Sequence, residues 1–173
     1  RPERGGSLDL LDDFLSIPDA GTRLLFKIAL VLAPNPEIPR VVLVFHGPQG
    51  SAKSTHCRLF RALVDPSAVP APSFPHGDAE MAQLLDHHAV TVFDNVSALG
   101  RRYSDFLCRA VTGDGFQKRK LYTDDDDVLY QFRRVVVLNG IAVPATAPDL
   151  LDRSLLMRLE RLERPREERE YCG

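Results

Sequence analysis

The sequence predicts an α/β fold, a three-layer α/β/α sandwich around a mostly parallel central sheet with two helices ahead of it. Two observations predict it. Val-rich apolar runs recur at residues 41–45, 89–93 and 135–138, and the latter two close directly on the polar residues Asp94 and Asn139. Runs of that length bounded by turn residues suit strands buried on both faces, with helix-patterned segments between them. The first run also leads into a glycine loop, His46-Gly47-Pro48-Gln49-Gly50-Ser51-Ala52-Lys53-Ser54-Thr55, after which a helical pattern begins. Strand, glycine turn and helix N-terminus in that order are the layout of a phosphate-binding loop.

In chain order, residues 1–6 are a flexible lead-in, and Ser7 can cap a helix carrying Leu8, Leu11, Phe14 and Leu15. Pro18 ends it, and Asp19 can cap a second helix with Leu24, Leu25, Ile28, Ala29 and Leu32 on its buried side. The proline-rich loop 34–39 delivers the chain to the first core strand. The helix after the glycine loop runs to about Val64 and stops at Asp65-Pro66. Four prolines make residues 65–77 a poor helix, with room for one short strand near Ser73-Phe74. Asp78 can cap a helix with Met81, Leu84 and Leu85 inward, ending at His87-His88. Ser104 can cap the next, bearing Phe106, Leu107, Ala110 and Val111 and closed by Gly113. Two β-like segments, 116–122 and 128–132, flank an acidic turn at 123–127 and predict a hairpin. The run 134–140 ends in Asn139-Gly140, residues 148–153 form a helical turn, and 155–162 is the last apolar run. The expected organisation is 1–40 as helices packed on the core, 41–162 as the core, and 163–173 as a charged tail leading into a further C-terminal region.

Composition narrows the function classes. The chain has 173 residues, 44% hydrophobic and 27% charged, enough for one soluble domain with a core. A net charge of −2 gives no global attraction to nucleic acid, so any such contact would come from a local patch or from assembly. Three scattered cysteines without metal spacing point to a reduced, cytoplasmic setting. His87-His88 has no cysteine or carboxylate at ligand spacing and suits a helix end better than a metal site. The most apolar helical segment, 22–33, is short and carries Arg23 and Lys27, so no membrane partner is expected. The chain begins at Arg1 without an initiator Met, which suggests a piece of something longer.

The chemistry of the loop explains its residue types. Phosphate oxygens need several inward backbone N–H groups, so small residues are wanted where the chain wraps them, as at Gly47, Gly50, Ser51 and Ala52. Lys53 would reach the β and γ phosphates of ATP, and the Ser54 hydroxyl would ligate Mg²⁺ at a helix N-terminus. Ala52 stands where the usual form has Gly, which is tolerable if its φ is negative. Asp94, closing an apolar run about forty residues later, has the form of a carboxylate that holds Mg²⁺ through water. Asn95 follows it, and an amide is no general base; Asp114 is one alternative. Asn139 can orient water or touch the γ phosphate, or simply form a turn. Arg153 has the position of a finger reaching a neighbour's nucleotide, or pairs with Asp149 or Asp152. The four adjacent aspartates of the hairpin turn suit a solvated tip and lack the interleaved spacing of a calcium loop.

Taken together, this set of motifs resembles the AAA+ fold, and more specifically the ATPase core of superfamily 3 helicases and of phage and mobile-element primase–helicase proteins. The resemblance covers roughly residues 8–162. It implies that Gly47, Gly50, Lys53, Ser54 and Thr55, with Pro48, Gln49, Ser51 and Ala52 of the same loop, cradle the nucleotide, with ATP and Mg²⁺ as cofactors. It also implies that Asp94 holds Mg²⁺, Asn139 is a sensor and Arg153 a finger acting in trans. Lys118 and Lys120 become candidates for DNA contact on a hairpin, and the expected assembly is a homo-oligomeric ring, a hexamer. The strand of Asn139 would lie between the other two motif strands. Two rivals remain at this point. A small-molecule kinase would use Arg101-Arg102 as a lid, and a nucleotide-gated interaction module would bind ATP with slow or no hydrolysis.

Overall fold

Strands β1 (Val42–His46), β2 (Val90–Phe93), β5 (Val135–Gly140) and β6 (Ser154–Arg158) form one parallel sheet in the order β2–β5–β1–β6. The computed structural model describes residues 5–69, 71–114, 116–119, 127–130 and 133–161. Alternation along the strands divides the core into two layers. Val42, Val44, Val136, Leu138 and Phe93 meet α3 (Asp78–His87), α4 (Arg101–Thr112) and the short α5 (Pro148–Leu151) on one face. Leu43, Phe45, Val90, Val92, Val135 and Val137 meet α1 (Ala20–Leu32) and α2 (Lys53–Val64) on the other. Every residue of β2 and β5 and all but the last of β1 are buried, which is why these strands are mostly apolar. This is the expected α/β/α sandwich, with the β5 strand between β1 and β2 as expected.

The N-terminal elements depart from expectation in two ways. Ser7 does cap, its hydroxyl accepting from the Asp9 N–H at 3.1 Å, but the element it starts is a 3-10 helix, Leu8–Asp13, with no residue buried. Helix α1 is capped by Asp19 as foreseen, yet it buries Phe26 and Leu30, while Leu24, Leu25, Ile28 and Leu32 are exposed. The helix is apolar almost all round, so periodicity cannot choose its inner face. Aromatic packing does: Phe26 meets Phe45 and Phe60 edge-on at 6.1 and 5.7 Å. Lys27 is held by Asp12 at 2.8 Å and Asp9 at 3.2 Å, which turns the opposite side toward solvent.

Three smaller corrections follow from backbone conformation. Helix α3 has Gly77 at its cap and Asp78 in its first turn, and α4 starts after Gly100, with Ser104 buried inside it. Residues 73–74 form no strand; Phe74 instead packs its ring on Phe93 and Tyr103 at 4.9 and 5.0 Å. The last strand begins at Ser154 and ends at Arg158. The hairpin is present, with β3 (Phe116–Arg119) antiparallel to β4 (Asp127–Tyr130) and Lys118 opposite Val128. Lys120 to Tyr122, the acidic turn but for Asp127, and the tail 163–173 lie outside the described residues.

Candidate functional site

Helix α2 starts at Lys53, directly after the glycine loop, so the loop sits at the carboxyl end of β1 against a helix N-terminus. Two glycines are required by the local geometry. A Cβ on Gly47 would run into the Leu159 carbonyl oxygen, and Gly50 has φ 77°. Ala52 also lies in the left-handed region, at φ 58°, contrary to the negative φ expected for a residue with a methyl. The loop demands that corner whichever residue stands there, and alanine adopts it at a strain of roughly 1–2 kcal/mol.

Within the loop, Lys53 Nζ donates to the carbonyls of Gly47 and Pro48 at 2.9 and 2.8 Å, and the Ser51 hydroxyl donates to the Pro48 carbonyl at 2.8 Å. Ser54 and Asp94 meet across the sheet end: Ser54 Oγ donates to Asp94 Oδ1 at 3.0 Å. Asp94 follows the last residue of β2, and Asn95 turns the chain with φ 56°. Asn139, buried at the carboxyl end of β5, accepts from the Asn95 backbone N–H through Oδ1 at 2.8 Å and donates from Nδ2 to Cys57 Sγ at 3.4 Å. Its amide is therefore engaged in fixing the Asp94–Asn95 turn. Burial pushes the Cys57 thiol up to about 12, so it stays protonated beneath that turn. His46, just before the loop, is held below the ordinary imidazole value by burial and then by the neighbouring Arg158.

The structure brings together Gly47 to Thr55, Asp94 and Asn139, and leaves Arg153 and Asp114 at the other edge of the sheet. Arg153 precedes Ser154, the register partner of Val42 at the start of β1, and donates to the Asp149 main-chain carbonyl at 2.8 Å rather than to either carboxylate. Asp114 follows α4, whose Val111 and Ala110 carbonyls bond Arg40 and Arg134 at the amino ends of β1 and β5. It cannot act as a base at the loop of its own chain. Arg102 is held by Asp78 at 2.8 Å. One residue missed in the sequence lies against the loop: Arg161, whose Cγ and Nε would be 3.9 Å from a Cβ on Gly50. Nothing in the sequence signals it, because the contact is made across the end of β6.

Ser54 and Asp94 supply a hydroxyl and a carboxylate, the hard oxygen donors that Mg²⁺ takes, and the left-handed corners of the loop leave its backbone open, so the residues present fit a Mg-nucleotide. Among the described residues no group of three or more His, Cys, Asp and Glu could hold a metal ion, and no helix is long and apolar enough to cross a membrane.

Comparison with known proteins adds the following. A family model described as actinomycete integrative conjugative element replication protein matches residues 8–172. A search of curated proteins gave no match. Among solved structures, the apo A form of the NrS-1 C-terminal region is similar at TM-score 0.66 and 16% identity over 99% of this chain and 42% of that one. A second apo structure of that region gives 0.65 and 17%, covering 99% of this chain and 44% of the other. The JCV helicase is similar at 0.53 and 15%, covering 84% and 42%. The chain thus spans less than half the length of the solved chains it resembles, and at these identities the likeness is one of fold.

Proposed function

The chain belongs to the replication proteins of actinomycete integrative conjugative elements, and from that premise we propose that it is an ATP-binding and hydrolysing motor domain, a DNA helicase or helicase-like ATPase, serving mobile-element replication. The observation that carries the reading is the 3.0 Å contact between Ser54 of the loop helix and Asp94 beyond β2, on either side of the β5 strand. A hydroxyl and a carboxylate so paired beside a phosphate loop are the two protein ligands such a Mg²⁺ takes. Bound there, the metal would neutralise charge on the β and γ phosphates.

The chain's own residues supply the rest. The loop N–H groups would hold the phosphates, and Lys53 would exchange the Gly47 and Pro48 carbonyls for phosphate oxygens. Asn139 keeps the Asp94 turn in place through the Asn95 N–H. Arg153, from a neighbouring copy in a ring, would add positive charge at the γ phosphate. Lys118 would contribute to DNA contact from the hairpin.

A second reading, the nucleotide-gated interaction module, is favoured by Asn95: its left-handed backbone, tied to Asn139, puts an amide where a carboxylate base would serve. ATP hydrolysis with and without single-stranded DNA, with the solution mass recorded, tests both. DNA-stimulated turnover by a ring-sized species is expected. Tight ATP binding by a monomer without turnover would replace the motor with the module, and no ATP binding would remove both.

A further inference from the structure

His56 is one turn into α2, 1% exposed, and it faces the N-terminal segment rather than the sheet end. Its Nδ1 lies 2.8 Å from the Ala52 carbonyl, and its Nε2 accepts the Ser16 backbone N–H at 3.0 Å. One partner can only accept and the other can only donate, so the ring must be neutral with its proton on Nδ1. Ser16 completes the link: its hydroxyl donates to the Ser51 carbonyl at 3.2 Å, and its own carbonyl accepts from the Glu160 N–H at 3.3 Å. Two consecutive loop carbonyls, Ser51 and Ala52, are thus tied to a residue 35 positions earlier in the chain. They are the carbonyls on either side of the Ala52 φ and ψ torsions, the corner where a non-glycine residue holds φ 58°.

We propose that His56, through Ser16, is a positioning residue that holds the left-handed corner at Ala52, so that the loop N–H groups stay aimed at the nucleotide phosphates. The physical argument is one of over-determination. A strained non-glycine corner persists only when its surroundings fix it, and here the fixing groups, beyond the helix's own His56 N–H bond to the Ala52 carbonyl at 3.0 Å, are a buried imidazole and one serine. A glycine at position 52 would need no such brace. His56 touches neither metal nor phosphate and acts on them through the backbone. This inference rests on the nucleotide reading for its purpose, but the brace itself can be judged without nucleotide.

The test compares the wild-type chain with His56→Ala, His56→Asn, Ala52→Gly and the double variant His56→Ala with Ala52→Gly. Asn keeps a donor for the Ala52 carbonyl and covers the case in which the alanine variant does not fold. Fluorescent ATP binding and, where there is turnover, KM and kcat are the first readout. His56→Ala is expected to weaken binding and raise KM about tenfold with kcat little changed, and His56→Asn to weaken it at least threefold. Measured against Ala52→Gly as its own baseline, adding His56→Ala should cost little, so that most of the loss seen with alanine at position 52 disappears. Backbone ¹⁵N–¹H shifts of residues 50–54, recorded without nucleotide, are the second readout: they should move in both His56 variants and return in the double variant. Wild-type binding by a folded His56 variant, or a folded double variant that is not rescued, overturns the brace. If the wild-type chain binds no ATP, the functional reading fails, and the amide shifts still decide the brace: unmoved shifts overturn it and restored shifts uphold it.

Discussion

Ala52 at φ 58° and Asn95 at φ 56° are the non-glycine residues with left-handed backbones among those described, and each adjoins one end of the Ser54–Asp94 contact. Strain collected at one place is consistent with a site that needs a fixed shape. For Asn95 it also supplies a reason for the residue type: asparagine tolerates the left-handed region better than a longer side chain does, and its N–H is taken by Asn139. Asn95→Glu, which would install the acid the sequence lacks, should therefore lower stability by about 1 kcal/mol and give no faster ATP turnover. Urea melts and a turnover assay check this, and a gain in turnover at unchanged stability would show that the backbone is not the constraint. Thr91 presents the opposite case. It lies fully buried in β2, and among the described residues its hydroxyl has no hydrogen-bond partner. Thr91→Val keeps the shape and removes the unpaired group, so it should stabilise the fold by about 1 kcal/mol. A lowered urea midpoint would mean that the hydroxyl has a partner after all.

Parallel strands force every flanking helix to end at the amino edge of the sheet, where its last carbonyls carry the negative end of the helix dipole. This chain answers with arginines. Arg40 donates to the Leu32 carbonyl at the end of α1 at 2.6 Å, and also to Asn35; Arg134 donates to Leu85 of α3 at 2.6 Å; Arg133 to Thr112 of α4 at 3.2 Å; Arg153 to Asp149 of α5 at 2.8 Å. Helix α2 carries its own arginine in its last turn: Arg61 is buried and donates to His88 Nδ1 at 3.1 Å. Burial, and then Arg61, lower the His88 pKa. An unfolded histidine titrates near 6.5, so just below that value the unfolded chain binds more protons than the folded one. The contribution is fully present above about pH 6.5 and is lost as pH falls toward the depressed folded value. Urea midpoints should therefore drop from pH 7 to pH 5, less steeply in His88→Gln; an identical slope would place the proton uptake elsewhere. Elements of this kind differ in how legible they are. The β1, β2 and β5 strands could be read because apolar runs close on His46-Gly47, Asp94 and Asn139. The inner face of α1 could not, because Leu24, Leu25 and Ile28 compete with Phe26 and only Phe45 and Phe60 decide. The loop's residue types were plain, but the Ser16–His56 link joins positions 40 apart and has no local pattern.

At the scale of the molecule, the parallel sheet separates two sets of groups. The loop, Asp94, Asn139 and Arg161 gather at the carboxyl edge, while Arg153, Asp114 and the root of the hairpin lie at the amino edge. Strands rise about 3.3 Å per residue, so the four steps from Val42 to His46 put roughly 13 Å between those edges. Arg153 starts one position outside that span, bonded to its own short helix, and its guanidinium does not serve the nucleotide of its own chain. If it acts on ATP, it acts on a neighbour's. Arg153→Ala should then leave ATP affinity within about twofold while hydrolysis falls at least tenfold, a loss of about 1.4 kcal/mol or more of transition-state stabilisation. The decisive form of the experiment mixes subunits. Arg153→Ala chains retain an intact loop, and Asp94→Ala chains retain an intact Arg153, so neither alone should turn over ATP. In an equal mixture, those interfaces that pair the intact loop of one with the intact arginine of the other should regain part of the wild-type rate. The regained rate should depend on the mixing ratio and vanish when either variant is omitted. A mixture as inactive as its components, in particles of unchanged mass, would return Arg153 to the role its geometry already displays, a cap on α5.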